Sequence, residues 1–208
     1  MDILLATSNP GKINRYAELL ARLNPNIRLL VPADVGIDDI RVQETGVNEV
    51  ENAKLKAKAY WEALATDKKM PCLAGDTGTY LENVLPDEQP GMYSRRISGA
   101  GDSYSLDGDE TMAKHYQALC HKYGGKIPGF YLDGHCIYEQ DHWMTMQNKR
   151  FFVLTEKVVG PISKGFPMLS MIQGKITGKY INEMSHEEYL QEMSPVSDAL
   201  KLLLASLQ

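Results

Sequence analysis

Cysteine is scarce in this sequence and comes without a partner. Cys72, Cys120 and Cys136 are the only three, and no two are closely spaced. That arithmetic excludes a disulfide framework and a cysteine metal cluster, and it fits a reducing compartment. Basic charge is also in short supply. Lys and Arg number 22 against 27 Asp and Glu, a formal charge of −5. A balance of that sign excludes the phosphate-tracking surface that non-specific nucleic-acid binding needs, so a polyanionic ligand has to be drawn by a few placed cations. Long apolar runs are absent as well. None approaches the ~18 residues of a membrane span, and Met1-Asp2-Ile3-Leu4-Leu5 has no basic leader. Repeats, low-complexity tracts and linker-like segments are missing too. The expectation is a cytoplasmic protein without membrane or nucleic-acid partners.

What is present is an ordinary globular balance, 43% hydrophobic and 24% charged over 208 residues. A chain of this size buries roughly 70% of its unfolded surface, enough for one domain spanning 1–208 without staples. Asp2 to Thr7 reads as a strand stopped by the turn cluster Ser8-Asn9-Pro10-Gly11. A helix then carries Ile13, Tyr16, Leu19, Leu20 and Leu23 on one face. Ile27 to Val31 reads as a second strand. Asn48 and Glu51 form a capping-box pattern ahead of Val50, Ala53, Ala57, Tyr60, Trp61 and Leu64 at helical spacing. Pro71 to Gly75 reads as a buried strand ending at the turn Asp76-Thr77-Gly78, with another strand over Thr79 to Leu85. A helix through Met112, Tyr116, Leu119, Cys120 and Tyr123 closes at Gly124-Gly125. Phe130 to Tyr138 and Trp143 to Val159 read as antiparallel strands. Ser185 with Glu188 and Ser194-Pro195 mark two further helix starts. Helices interleaved with strands, around an antiparallel patch, give α/β with a mixed sheet.

Three stretches carry chemistry. Thr7-Ser8-Asn9-Pro10-Gly11-Lys12 lies between a strand and a helix, where outward amides, hydroxyls and a lysine suit phosphate oxygens. Alone, it reads equally as a capped helix start with an incidental lysine. Glu44-Thr45-Gly46 precedes Glu51-Asn52-Ala53-Lys54-Leu55-Lys56-Ala57, in which Asn52 and Lys56 share a helix face. Lysines so spaced are either a solvated surface or include one turned into a site. In Ala74-Gly75-Asp76-Thr77-Gly78, a carboxylate just past a buried strand stands where open α/β sheets place ligands, although Asp-x-Gly is also an ordinary turn. Glu44 and Asp76 together could hold Mg²⁺, which takes oxygen ligands and keeps several waters.

In this order the stretches resemble the inosine triphosphate pyrophosphatase family, which cleaves non-canonical purine triphosphates to monophosphate and pyrophosphate. The likeness runs from I-L-L-A-T-S-N-P-G-K through Q-E-T-G, E-N-A-K-L-K-A and A-G-D-T-G to Pro90-Gly91-Met92-Tyr93-Ser94-Arg95-Arg96. It continues at Gly165-Phe166 and at Gly178-Lys179 with Glu183-Met184-Ser185. It implies an elongated twisted mixed sheet flanked by helices, with two lobes, a central cleft and a homodimer. It places Thr7, Ser8, Asn9, Lys12 and Lys56 on the triphosphate, with Asn52, Thr77, Ser94, Arg96 and Lys179 also lining the substrate site. Glu44 and Asp76 would hold Mg²⁺, Asp76 would polarise the attacking water as the catalytic residue, and Phe166 would stack on the base.

The chain departs from the family at several places. Of two successive acids, the first is Gly75 here, and the following serine is Thr77. The family's base-reading Asp, His and Arg fall on Leu169, Pro195 and Val196, and a lysine falls on Tyr189. Stacking is worth ~1–3 kcal/mol and barely discriminates between bases. A buried hydrogen-bonding site rejects a wrong substrate by about 10⁴-fold. The expectation is therefore altered base selectivity. His186, Tyr189 and Gln191 are either substitute readers or exposed helix residues. A modified or pyrimidine nucleotide, and a nucleotide-binding protein with little turnover, stay open beside the purine substrate.

Overall fold

The computed structural model describes residues 1–38, 40–97 and 106–207, the side chains of 96, 97 and 106 excepted. It opens with β1 (Asp2–Leu5) and α1 (Pro10–Leu23). Asn9 caps α1, its side chain accepting from the amides of Gly11 and Lys12, and Pro10 takes the first turn, where its missing N–H costs nothing. β2 (Arg28–Leu30) follows, then α2 (Glu49–Ala63), whose start is fixed by Asn48 accepting from the Glu51 amide. β3 is Cys72–Leu81. Later elements are α3 (Ser94–Ile97), α4 (Leu106–Lys122), β4 (Lys126–Glu139), β5 (His142–Thr155), β6 (Ile172–Gly174), α5 (His186–Glu192) and α6 (Ser194–Ala205). The Ser185–Glu188 capping box forms in full.

The six strands make one mixed sheet in the order β2-β1-β3-β4-β5-β6. β1 pairs parallel with β2 (Leu4 with Leu30) and with β3 (Leu4 with Cys72). Because β2 and β3 flank β1 on opposite sides, right-handed crossovers put α1 and α2 on opposite sheet faces. β4 and β5 are joined by Gln140-Asp141, both at positive φ (46° and 65°), the two-residue turn that matches strand twist in an antiparallel hairpin. β5 and β6 are antiparallel.

The chain divides into two compact units. The first comprises Met1–Thr77, Asp133–Asn148 and Pro195–Gln208, and one of its buried clusters joins Leu4, Ala53, Ala57, Tyr60, Cys72, Ala74, Cys136 and Tyr138. The second comprises Gly78–Leu132 and Lys149–Ser194, around Leu81, Met112, Tyr116, Leu119, Ile127, Phe152, Leu154 and Met171. All three cysteines are buried and free. Among the described residues no helix is long and apolar enough to cross a membrane.

One expectation is overturned. The turn expected at Asp76-Thr77-Gly78 is continuous strand, so the two short strands read from the sequence are the single β3. β1 pairs only with the start of β3, at Cys72 and Leu73, and β3 runs on through 76–78 with β4 as its other neighbour and an antiparallel bridge from Thr79 to Gly91 just beyond. The glycine that suggested a turn serves close approach instead. A Cβ on Gly75 would lie 1.9 Å from Tyr16 Oη. The chain reverses later, where Asn83 adopts φ 58°.

Candidate functional site

The first unit gathers most of the residues singled out by sequence. Lys56, on α2, donates from Nζ to Asp76 Oδ1 at 2.7 Å and lies 3.1 Å from Glu44 Oε1. Asn52, one helical turn earlier on the same face, donates from Nδ2 to Asp76 Oδ2 at 3.1 Å. Its Oδ1 accepts from the Gly46 amide at 2.9 Å, tying the Glu44-Thr45-Gly46 loop to the same helix. Only glycine fits there, since a Cβ on residue 46 would stand 2.7 Å from both Asn52 N and Oδ1. Lys12, from the first turn of α1, reaches across with Nζ 2.8 Å from Gly75 O and 3.9 Å from Asp76 Oδ1.

Two cations and two anions thus meet with little water. Lys12, Lys56 and Asp76 side chains are 12%, 15% and 9% exposed, and Glu44 is 29% exposed. Burial pushes the Asp76 pKa upward, but Lys56 and Lys12 outweigh it and hold the carboxyl below the usual range. Burial lowers Lys56, but Asp76 and Glu44 outweigh it and raise its pKa. At Lys12 burial wins, helped by repulsion from Lys56, and the pKa falls to about 8.

Both carboxylates converge on Lys56 Nζ, so a cation already occupies the point between them. A divalent ion would have to lie beside Lys56 or displace it, where Glu44 and Asp76 would offer two hard carboxylate oxygens and the rest of its shell would come from other oxygens, the pattern of Mg²⁺. Among the described residues no group of three or more His, Cys, Asp or Glu could hold an ion. Two carboxylates fit a hard divalent ion such as Mg²⁺ that draws its remaining ligands from elsewhere, and they do not fit a structural zinc.

The other expected residues are placed differently. Asn9 is buried, and its Oδ1 is already engaged by the Gly11 and Lys12 amides that the sequence offered to an anion. Thr7 Oγ1 accepts from the Asn9 amide at 3.2 Å, and Ser8 is exposed. Thr77, next to Asp76 on β3, projects to the opposite sheet face and donates to Asp133 Oδ1 at 2.8 Å.

Ser94, Arg96, Phe166 and Lys179 belong to the second unit. Ser94 Oγ is 3.4 Å from Thr79 Oγ1, and the Arg96 side chain lies outside the described residues. Phe166 is half-buried ahead of a short 3₁₀ turn, Pro167–Met171. Lys179 is exposed and pairs with Glu188 at 2.5 Å. A residue the sequence did not single out organises this unit. Asp109, on α4 and fully buried, accepts from Arg95 Nη1 at 2.6 Å and from the Gly165 amide at 3.0 Å. It ties the Ser94–Arg96 segment to the base of the Phe166 loop. Its only signal was an acidic first helical turn, which reads by default as a dipole partner.

Residues 3–129 match the model of the Ham1 family. A dITP/XTP pyrophosphatase of Aquifex aeolicus is 40% identical over 97 residues, 47% of this chain and 42% of that protein. A protein of the same name from Legionella pneumophila is 42% identical over 47% of this chain and 44% of its own. The chain thus spans less than half the length of these curated relatives. A third such pyrophosphatase, from Yersinia pseudotuberculosis, aligns over 99% of this chain and 98% of its own at 26% identity. The solved Staphylococcus aureus Ham1 protein superposes with a TM-score of 0.69 over all of both chains at 21% identity, a likeness of fold. The motifs, the family match and the fold agree, and the chain belongs to the Ham1 family, the inosine triphosphate pyrophosphatase family that its sequence resembles.

Proposed function

We propose that this chain hydrolyses a nucleoside triphosphate to the monophosphate and pyrophosphate, with Mg²⁺ held by Glu44 and Asp76. The observation that carries the reading is the convergence of Lys12, Lys56, Glu44 and Asp76 on one largely buried point. The pyrophosphatase names of the relatives support the reaction class. A water placed against Asp76 attacks the α-phosphorus, the bond from it to the bridging oxygen breaks, pyrophosphate leaves, and the water's proton passes to a phosphate oxygen of the products or to solvent. Asp76 stays ionised at neutral pH because its pKa lies below the usual range. It is consequently a weak base, suited to orienting the water more than to abstracting its proton. Lys12 and Lys56 offset charge gathering on the leaving pyrophosphate. The metal, when bound, neutralises the phosphoryl oxygens. The family reading also carries a homodimer and a cytoplasmic location, the first checked by light scattering.

Base selectivity is proposed to be weak. Val196, at the position of a base-reading arginine, is 1% exposed among the buried residues of α6. Leu169 brings no hydrogen-bonding group. Phe166 can stack under any base, so preference for inosine or xanthosine triphosphate over ATP and GTP should fall short of an intact site by ~10-fold or more. A pyrophosphate-release screen over canonical, deaminated and modified triphosphates with Mg²⁺ tests both parts. A preference of about 10³-fold for inosine triphosphate would refute the selectivity reading. Absence of turnover on every substrate would refute the hydrolytic one.

A further inference from the structure

The face of β3 turned away from Asp76 carries a second polar assembly. Gly75 and Thr77 both project there, since side chains alternate along a strand. Tyr16 Oη, from α1, fills the space a side chain at 75 would need. The tyrosine oxygen is 2.8 Å from His135 Nδ1, and His135 Nε2 is 2.7 Å from Asn148 Oδ1. Asn148 Nδ2 donates to Asp133 Oδ2 at 3.0 Å, and Thr77 Oγ1 donates to Asp133 Oδ1 at 2.8 Å. Because Asn148 turns its oxygen to the imidazole, Nε2 carries the hydrogen and Nδ1 accepts from Tyr16. Each of these bonds therefore runs toward the Asp133 carboxylate, from Tyr16 at one end and from Thr77 at the other. Tyr16, His135 and Asp133 are 4%, 1% and 2% exposed. Apolar residues would fill such a strand at less risk, because a buried polar network stabilises only when its members are satisfied.

We propose that Asp133 is a positioning residue for Asp76. It anchors Thr77 on one side of Asp76. Through Asn148 and His135 it holds Tyr16 against Gly75 on the other. Both backbone neighbours of Asp76 are fixed from one carboxylate, and the direction of the Asp76 side chain follows. The role rests on the reading above, in which Asp76 holds metal and orients water. It also accounts for Gly75. Where the family has an acid, this chain makes room for a tyrosine, and the buried acid of that face comes from β4, the neighbouring strand.

The test uses the full chain and two readouts. Mn²⁺ affinity is measured by electron paramagnetic resonance of the free ion with inorganic tripolyphosphate present, and pyrophosphate release is followed alongside. Thr77→Val removes the hydroxyl at nearly constant volume, and Asp133→Asn sets an amide against two arriving donors. Both should weaken Mn²⁺ binding about 10-fold, the low end for outer partners of a metal ligand, and lower kcat similarly with KM within about two-fold. Thr77→Ser keeps the donor and should lose less than about three-fold in Mn²⁺ affinity. Tyr16→Phe, which removes only the far hydroxyl, gives a milder version of the same loss if Asp133→Asn fails to fold. Measurements are made well below each variant's thermal midpoint. Unchanged Mn²⁺ affinity in Thr77→Val, or equal losses in Thr77→Ser and Thr77→Val, would overturn the proposal, and so would a parent chain that binds no Mn²⁺. A parent that shows this metal pattern but releases no pyrophosphate would refute hydrolysis and uphold the positioning role.

Discussion

Lys12 is the residue whose removal should stabilise the protein while damaging the site. Its ammonium is 12% exposed, and its pKa falls from 10.5 to about 8 because burial and Lys56 outweigh the pull of Asp76 and Glu44. The gap of 10.5 − 8 = 2.5 pH units, at about 1.4 kcal/mol each, means the charged form destabilises the fold by about 3 kcal/mol at neutral pH. Lys12→Met keeps the length of the chain and drops the charge. It also loses the 2.8 Å bond to Gly75 O, worth about 1 kcal/mol, and leaves Asp76 with one cation fewer. The net expectation is a gain of about 1–2 kcal/mol, or several degrees in Tm at about 2–4 °C per kcal/mol for a chain of this size.

The sign with pH is fixed by the same shift. The folded pKa lies below the unfolded one, so between about 8 and 10.5 the unfolded chain binds the extra proton. Parental stability therefore rises with pH across that window relative to the variant, which has no such group. Urea unfolding of both proteins at pH 7 and pH 10, without metal and with chelator present, should show the variant's advantage at pH 7 lost by pH 10, where less than about 1 kcal/mol of the charge penalty remains and the missing Gly75 bond leaves the variant equal to the parent or slightly less stable. A variant less stable at pH 7, or a gap indifferent to pH, would refute the electrostatic account.

Asp76→Asn keeps size and removes the charge, so pyrophosphate release in single-turnover assays should fall at least ~10²-fold. Gly46→Ala drives a Cβ to 2.7 Å from Asn52 N; overpacking of that order costs about 1–3 kcal/mol and should lower Tm by several degrees in calorimetry. Asp109→Ala leaves the Arg95 guanidinium, whose side chain is 15% exposed, without this carboxylate. Losing one partner of a buried pair costs about 3 kcal/mol or more, and the urea midpoint should move accordingly.

The fold was most legible where the signals are local. Asn9-Pro10-Gly11 marks the β1–α1 joint by capping chemistry confined to a few residues, and Gly124-Gly125 closes α4 with φ of 89° and 83°. β3 was misread because a glycine can mean either a turn or a close neighbour, and the neighbour of Gly75 is Tyr16, distant in sequence. Once β3 is continuous, the opposite facing of Asp76 and Thr77 follows from a period of two. Asp133 and His135 leave a faint trace, two polar residues one period apart in an apolar strand. What they bind is on α1, β3 and β5, which no local pattern reports.

In the candidate site, residue types and helical spacing gave the members, and burial gave their arrangement. Lys54 and Lys56 look alike in sequence, yet Lys54 pairs with Glu51 near the surface while Lys56 turns inward to Asp76. The difference is helical phase. Lys56 lies one turn beyond Asn52, which is buried, whereas Lys54 is offset by half a turn. The four charges that result sum to zero. On the proposed reading this has a consequence for substrate entry. A triphosphate carries several negative charges into a site whose own cations are already matched by Glu44 and Asp76, in a chain of net charge −5. Without a cation travelling with it, the substrate would meet two carboxylates at close range in low dielectric. Glu44 and Asp76 are therefore better understood as hosts for a metal that arrives with the phosphates than as permanent partners of Lys56.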